Sequence, residues 1–292
     1  MNPLTLATAS HIAPRIQLTD EKLKTLNESD CRLAVYFSHE RISWSVLDAV
    51  HHRVVSAFDF SLEKIPSDSV AASAIQLMDE YDLGAKQYAA VNIALDTGRS
   101  LLMPQELFIG SELQTYLNYG ISITEQPMKD SVRGIPAYNI YSAPDRLLDS
   151  LRGVFDRFHT VHVSSAFIEN IIRENKNLND NRLFASLSGS NLHIAAMEAS
   201  KFVFYNSYPI KTKEDFAYYL MAVTEELSFH PEQINVSLSG DITPDSDYYQ
   251  TAKKFLRQLS FTERPKALKY SAKLDTIPKH LFALLYSIHL CE

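Results

Sequence analysis

Few residue patterns in this chain of 292 residues are typical of enzyme chemistry. His39-Glu40 can form an acid–base pair in a predicted turn, because imidazole and carboxylate groups transfer protons near neutral pH. The alternative is an ordinary pair in a surface turn. His159 and His162 stand three residues apart on a predicted strand, so they face opposite sides of it and do not share a metal ion. We expect no metal site.

Several common sites are excluded by residue spacing alone. The chain has 8 glycines, and the closest pair, Gly110 and Gly120, stands ten residues apart. The GxGxxG loop of dinucleotide-binding proteins and the GxxxxGK loop of P-loop proteins therefore cannot form. The two cysteines, Cys31 and Cys291, form no CxxC, and no serine lies in a GxSxG frame. Zinc ribbons, thioredoxin-like redox sites and α/β-hydrolase sites are excluded as well.

Composition indicates an ordinary globular protein. The 28 basic and 35 acidic residues give a formal net charge of −7, and 46% of the residues are hydrophobic. The length suggests about two domains. Residues 1–14 lack the basic and apolar runs of a secretory signal, and no apolar run reaches the roughly 18 residues of a membrane span. We expect a protein of the reducing cytoplasm.

Apolar periodicity predicts the same order of elements twice, with three strands, a helix and a further strand. The first helix begins at Ser67, and later helices are capped by Thr212 with Asp215 and by Thr243. The strands predicted in the first half are Arg32–Phe37, Arg41–Asp48, Arg53–Phe60 and Tyr88–Leu95. Those predicted in the second half are Arg182–Ser188, Leu192–Glu198, Phe202–Tyr208 and Ile234–Ser239.

The spacing between matching elements indicates an internal repeat with an insertion. The offset is 152 residues between Cys31 and Leu183. It falls to 108 residues where the strand Phe158–Val163 is matched with a last strand within Lys266–Ala272. The first half must therefore carry about 40 extra residues, at about 96–143.

The insertion is expected to contain a helix over Gln105–Tyr119 and a strand within Arg133–Ser142. Without it, each half has the order β-β-β-α-β-α-β-α, which favours a mixed five-stranded sheet with helices on both faces. The predicted fold class is α/β, with mixed sheets in two tandem domains. The expected division is an irregular leader at 1–29, a first domain at 30–178 and a second domain at 179–292.

Each half is similar to the ribonuclease-H-like module, and two such halves in tandem resemble the actin-like ATPase fold. Within that fold the chain is similar to the bacterial actin-like proteins of cell division and pilus assembly. It resembles most an uncharacterised bacterial family, a domain of unknown function with this fold. The likeness covers about residues 31–290 and is carried by Leu33–Ser38, Leu183–Ser190 and Val236–Asp241.

The resemblance implies a nucleotide site between the halves, where turns containing glycine and aspartate wrap phosphates and position magnesium. The first turn, Ser38–Arg41, has neither residue, and the second, Ser188–Asn191, keeps the glycine but begins with serine. A third turn would meet adenosine. The nucleotide-binding residues implied in the second and third turns are Ser188, Gly189, Ser190, Asn191, Ser239, Gly240 and Asp241.

Two functions follow as expectations. The first is a non-catalytic interaction or scaffold protein whose nucleotide site is degenerate and which uses no cofactor. The alternative is a nucleotide-binding ATPase or phosphotransferase with an altered phosphate-binding site, using ATP and magnesium. For that alternative the catalytic candidates are Asp96, directly after the strand Tyr88–Leu95, together with His39 and Glu40.

Two segments are expected to contact partners. The insertion 96–143 combines aromatic and aliphatic residues that suit a protein interface: Tyr116, Tyr119, Tyr138, Tyr141, Leu113, Leu117, Ile121 and Ile135. The alternative is that they build the insertion's own small core. The segment 253–273 holds seven basic residues and one acid, so it suits an anionic partner. The alternative is a solvated helix face and a sheet edge protected by lysines.

Overall fold

The computed structural model describes residues 12–118 and 125–291 and contains β-sheets of seven, five and three strands. The two larger sheets form the two halves of the molecule, and the smallest belongs to the insertion. Strands and helices alternate in both halves, so the mixed α/β class predicted from the sequence is confirmed.

The first half contains all elements of the insertion. In chain order its elements are β1 (Ile16–Thr19), β2 (Cys31–Ser38), β3 (Arg41–Asp48), β4 (Arg53–Ser61), α1 (Val70–Glu80), β5 (Ala90–Asp96), β6 (Ser100–Pro104), α2 (Leu113–Leu117), β7 (Gln126–Val132), β8 (Ala137–Ala143), α3 (Asp145–Val154), β9 (His159–His162) and α4 (Val163–Glu174).

The second half and a C-terminal segment complete the chain. Their elements are β10 (Arg182–Ser188), β11 (Asn191–Glu198), β12 (Lys201–Pro209), α5 (Lys213–Glu226), β13 (Asn235–Gly240), α6 (Asp247–Ala252), β14 (Gln258–Phe261), β15 (Lys269–Tyr270) and α7 (Ala283–Ser287). Short 3₁₀ helices lie at Glu21–Thr25, Glu28–Asp30, Gln105–Leu107, Gly110–Glu112, Ala272–Thr276 and Ile288–Leu290.

The two large sheets share one strand order. The first runs β4-β3-β2-β5-β9, and the second runs β12-β11-β10-β13-β14. In each, the hairpin strands pair antiparallel, and the strands that follow helices pair parallel. The central strands β2 and β10 are buried along nearly their whole length. Strands covered on both faces need no polar alternation, which explains their nearly continuous apolar sequences.

An aromatic cluster forms part of the core of the first half. Trp44 is 1% exposed and stacks on Phe58 and Phe60, with ring centroids 5.3 and 4.8 Å apart. Tyr81, directly after α1, packs its ring edge against Trp44 at 5.2 Å. These contacts fix α1 on the sheet, because aromatic pairs add geometric preference to their buried area.

The leader predicted at 1–29 is not wholly irregular. Ile16–Thr19 forms β1, which pairs antiparallel with β4 at the edge of the first sheet. This strand was not predicted because it is only four residues long and alternates weakly between half-buried and exposed positions. Residues 1–11 lie outside the described residues.

The last strand of the second half was predicted wrongly. That place in the sheet is taken by β14, which pairs parallel with β13, and not by a strand within Lys266–Ala272. The overlapping strand β15 pairs parallel with β4 of the first sheet instead. Leu268 and Leu274 on either side of it are buried against the first half, and this burial decides which sheet it joins. The range 179–292 therefore includes residues of the first sheet, and the domain division stays a prediction.

The helix predicted over Gln105–Tyr119 is also wrong. Two 3₁₀ turns precede a five-residue helix, α2, because the backbone is extended at Phe108 and Ile109, directly before Gly110, a residue of low helix propensity. Tyr119 itself lies outside the described residues. The insertion also has three strands, in the order β6-β8-β7, where the sequence indicated one, within Arg133–Ser142.

The helix caps were predicted with mixed success. The capping box of Thr212 and Asp215 on α5 is confirmed, with both reciprocal hydrogen bonds present. Helix α6 is capped by Ser246 and not by Thr243, and the N-cap of α1 is Ser69 and not Ser67. Several hydroxyl residues stand near each of these two starts, so local sequence alone did not select between them.

Candidate functional site

Three turns from opposite halves meet between the two large sheets. They are the β2–β3 turn at Ser38–Arg41, the β10–β11 turn at Ser188–Asn191 and the end of β13 at Ser239–Asp241. Because β10 and β13 are parallel neighbours, the last two turns lie at the same sheet edge, and Asp241 N donates to the Leu187 carbonyl at 2.8 Å. The structure thus brings together the turns that the sequence analysis singled out.

Glu40 of the first turn binds directly to the second turn. Its Oε2 accepts a hydrogen bond from the Ser190 amide and its Oε1 accepts one from the Ser190 hydroxyl, each at 2.7 Å. Gly189 has a φ of +57°, and a Cβ there would lie 2.2 Å from Glu40 Oε2. A side chain at position 189 would therefore displace the Glu40 carboxylate from this turn.

Asp241 takes the neighbouring amide of the same turn. Its Oδ2 accepts from Gly189 N at 3.2 Å and from Arg41 Nη1 at 2.7 Å. Its Oδ1 accepts from Arg15 Nη2 at 3.3 Å. Two carboxylates of the chain thus lie on consecutive backbone donors, and two arginines accompany them.

Asp59 of β4 holds the Arg41 guanidinium in this position. Its Oδ1 accepts from Arg41 Nε at 2.5 Å and from the Ser43 hydroxyl at 2.6 Å, and Arg15 Nε lies 3.5 Å from Oδ2. Burial alone would lower the pKa of Arg41, but Asp241 and Asp59 outweigh burial and raise it. The guanidinium stays charged although only 5% of Arg41 is exposed.

Arg15, Arg41 and Asp59 were not among the predicted site residues. A usable signal existed for Asp59, a charged residue between Phe58 and Phe60 in a predicted strand, whereas Arg41 begins a strand in which apolar and polar residues alternate. Arg15 carried no such signal, since it lies in the segment interpreted as an irregular leader. Outside these contacts an open pocket of about 610 Å³ remains, and Glu63, Lys211 and Tyr248 are among its lining residues.

The third turn is packed against the C-terminal segment. Gly240 has a φ of +84°, and a Cβ there would lie 1.9 Å from the Leu187 carbonyl oxygen. Its amide donates to the His280 carbonyl at 3.0 Å, and His280 Nε2 in turn lies 2.7 Å from the Ile242 carbonyl. Burial lowers the pKa of His280, so the ring is neutral and can donate from Nε2.

Three further predicted nucleotide residues are enclosed by protein. Ser188 and Asn191 are each 8% exposed, and Ser239 is 3% exposed. The Ser239 hydroxyl donates to the Ala185 carbonyl at 3.4 Å. Their assignment to a nucleotide stays a prediction.

Asp96, at the end of β5, lies in a buried hydrogen-bonded cluster. Its Oδ2 accepts from the Tyr36 hydroxyl at 2.7 Å and lies 3.1 Å from His193 Nε2, whose Nδ1 lies 2.9 Å from the Tyr205 hydroxyl. Burial alone would raise the pKa of Asp96, but His193 and the Tyr36 hydroxyl hold it well below its ordinary value. A carboxylate that resists protonation is a weak general base.

His39 is the most exposed of the predicted site residues, with 64% of its side chain accessible. Its Nε2 lies 3.3 Å from Glu40 Oε1, so the predicted pair is in contact. Its catalytic role stays a prediction, as do those of Glu40 and Asp96. Among the residues that the structure describes, no three His, Cys, Asp or Glu side chains lie close enough to hold a metal ion.

The two segments expected to bind partners are only partly exposed. In the insertion, Tyr141 and Leu117 are buried, which corrects their place in an exposed interface. Tyr119 and Ile121 lie outside the described residues. In the basic segment, Arg264 is 7% exposed and its Nη1 donates to Asp275, whereas the remaining basic side chains are exposed: Lys253, Lys254, Arg257, Lys266, Lys269 and Lys273.

The shared strand order and the meeting of the turns between two like halves define an actin-like ATPase fold. A Bacteroides thetaiotaomicron protein with this fold and unknown function matches at a TM-score of 0.74, with 20% identity over 94% of this chain and 100% of that chain. PilM in the PilM–PilN type IV pilus biogenesis complex matches at 0.55, with 11% identity over 89% of this chain and 97% of that chain. EutJ, an ethanolamine utilization protein from Carboxydothermus hydrogenoformans, matches at 0.50, with 11% identity over 90% of both chains.

The chain belongs to the DUF3822 family of proteins of unknown function, whose model matches residues 20–259. No curated protein matches it. Over residues 12–118 and 125–291, none of the helices has both the length and the apolar character that crossing a bilayer requires.

Proposed function

We propose that this protein is a non-catalytic interaction protein with an actin-like fold, whose nucleotide site is degenerate. The observation that carries the proposal is the Glu40 carboxylate, which accepts from both the amide and the hydroxyl of Ser190 at 2.7 Å. A phosphate group at this turn would need the same donors. It would also meet the Glu40 and Asp241 carboxylates, and like charges at close range repel.

The absence of suitable magnesium ligands in the two turns supports the same proposal. Magnesium that accompanies a nucleotide is usually held by one or two carboxylates as well as by the phosphates. Ser38 and Ser188 stand at the positions where the resemblance implies acids. The Glu40 and Asp241 carboxylates nearby are already bonded to protein donors.

A titration of the purified protein with magnesium–ATP tests the proposal. We expect a Kd weaker than about 1 mM in isothermal calorimetry and no phosphate release above the buffer blank. A low-micromolar Kd together with turnover would contradict it and would support the alternative, an ATPase or phosphotransferase with an altered phosphate-binding site. That alternative needs a base at the reacting centre, and the buried Asp96, with its lowered pKa, suits this role poorly.

The function that remains is binding to another macromolecule. A neighbour in fold, PilM, is solved in a complex with PilN, which supports a similar use of the fold here. We assign the first contact to the insertion 96–143, and a second, to an anionic partner, to the exposed basic residues of segment 253–273. The two free and buried cysteines suit a reducing compartment such as the cytoplasm.

A further inference from the structure

Two contacts cross between the halves at the turn Ser188–Asn191. Glu40 reaches Ser190, 150 residues away in sequence, and Arg41 reaches Asp241, 200 residues away. The Gly189 and Ser190 amides consequently each donate to a carboxylate of the chain itself. Two carboxylates thus supply the acceptor oxygens that a bound oxyanion would present to this turn.

Buried charged groups support these contacts, so the contacts do not depend on exposed side chains alone. Arg41 is 5% exposed and Asp59 is fully buried, and their ion pair fixes the guanidinium that holds Asp241. Gly189 leaves room for the Glu40 carboxylate, which a Cβ would approach to 2.2 Å. Successive backbone amides in such a turn form an anion-binding concavity.

We propose that the Glu40 carboxylate occupies an oxyanion site formed by Gly189, Ser190 and the nearby Arg15 and Arg41, and that it thereby excludes phosphate from this site. This inference rests on the proposed function, since it supplies the reason why the turn takes no phosphate. Removing the Glu40 carboxylate leaves the donors in place and opens the turn to a phosphate-bearing ligand.

The charges around the turn also favour phosphate binding once the Glu40 carboxylate is removed. In the wild type, Glu40, Asp59 and Asp241 stand against Arg15 and Arg41, so the group carries one net negative charge. The E40A substitution makes the group neutral and frees both donors of Ser190. An arriving dianion then meets two arginines and three unoccupied or shared donors, and charge-assisted hydrogen bonds of this kind are strong.

The probe is inorganic phosphate, titrated into 15N-labelled full-length protein and followed by NMR shifts and calorimetry. The matched control is E63A, which removes an exposed glutamate from the rim of the same pocket and leaves the turn untouched. We expect E40A to bind phosphate at least tenfold more tightly than wild type and E63A, with the largest shifts at the Gly189 and Ser190 amides. Equal affinity of E40A and E63A would overturn the inference.

Hydrogen exchange supplies a readout that does not depend on binding. Without phosphate, the Ser190 amide should exchange faster in E40A than in E63A, and phosphate should slow it again. If the amide exchanges equally in both variants, the Glu40 carboxylate does not occupy the proposed oxyanion site. Tight magnesium–ATP binding by the wild type would instead contradict the proposed function. A failure of this inference can therefore be distinguished from a failure of the proposed function. A cooperative thermal transition of each variant shows that E40A and E63A are both folded.

Discussion

Asp130 shows how one half-buried acid anchors the insertion to the first half. Its Oδ2 accepts from the His162 amide at 2.7 Å and from the Ser165 hydroxyl at 2.6 Å, while Oδ1 accepts from Tyr141 at 3.1 Å. Burial outweighs these hydrogen bonds and raises the pKa of Asp130 to about 6. His162 lies at the adjacent end of β9. Burial lowers the pKa of His162 to about 4, so its ring is neutral at pH 7.

The raised pKa of Asp130 predicts a pH-dependent effect of the D130N variant. Between pH 4 and 6 the folded protein keeps the Asp130 proton that the unfolded chain has lost, so this contribution to stability is present at low pH and fades as pH rises through 6. The neutral asparagine has no such dependence. Relative to wild type, D130N should gain about 2 kcal/mol in free energy of unfolding between pH 4 and 7.

Urea unfolding at several pH values measures this difference, with D245N as the control for an exposed aspartate. A D130N difference that does not change with pH relative to that of D245N would show that Asp130 ionises in the folded protein as it does in the unfolded chain.

At the scale of elements, the insertion presents the most prominent apolar surface among the described residues of the first half. Its own sheet buries Ile140 and Tyr141, but Leu107 is 66% and Ile109 is 59% exposed. Leu107 ends the first 3₁₀ turn before α2 and Ile109 lies between the two turns, with Leu101 of β6 40% exposed as well. Apolar residues that are not needed for the insertion's own core are available to a partner.

The double variant L107E/I109E should therefore lose the partner that the tagged wild-type protein recovers from cells of its source. Burying both side chains contributes about 3 kcal/mol or more, so we expect at least a hundredfold weaker binding. V50E is the matched control, because Val50 is 64% exposed in the β3–β4 turn, outside the insertion. Quantitative mass spectrometry of the recovered material measures the effect. Undiminished recovery with L107E/I109E would contradict the assignment of this surface.

At the scale of the whole molecule, two buried clusters attach the C-terminal segment and the second half to the first half. The C-terminal segment contributes Phe282, Tyr286 and Ile288 to a core shared with β2, β4 and β5 of the first half. A second cluster packs Phe167 of α4 against Phe184 of β10 and neighbouring residues of the second sheet. Removing either half would expose these surfaces to water, so the halves stabilise each other.

We therefore expect the two halves to unfold in one transition. Trp44 is the single tryptophan and reports on the first half, whereas far-UV circular dichroism reports on both. The urea midpoints from the two probes should coincide. The I288A variant should lower the free energy of unfolding by about 2–4 kcal/mol and shift both midpoints together. Separate midpoints, or a shift in one probe only, would contradict a shared core.

The sequence by itself determined the class of fold and most of the central elements. The strands β2, β3, β10 and β11 were predicted to within one residue at each end, because strand periodicity and apolar runs are local properties of the chain. The same holds for the Thr212–Asp215 capping box, whose hydrogen bonds span three residues. The sequence also showed that Ser38–Arg41 lacks the glycine and the aspartate, because this statement depends on residue identity alone.

Only the tertiary structure decided what fills the turn Ser188–Asn191 and where the end of the chain belongs. The Glu40–Ser190 and Arg41–Asp241 contacts join residues 150 and 200 positions apart, and no local pattern encodes such pairings. Likewise β15 is two residues long, and its strand signal is the same in either sheet. It joins β4 because Leu268 and Leu274 are buried there, and burial of apolar surface depends on the assembled molecule.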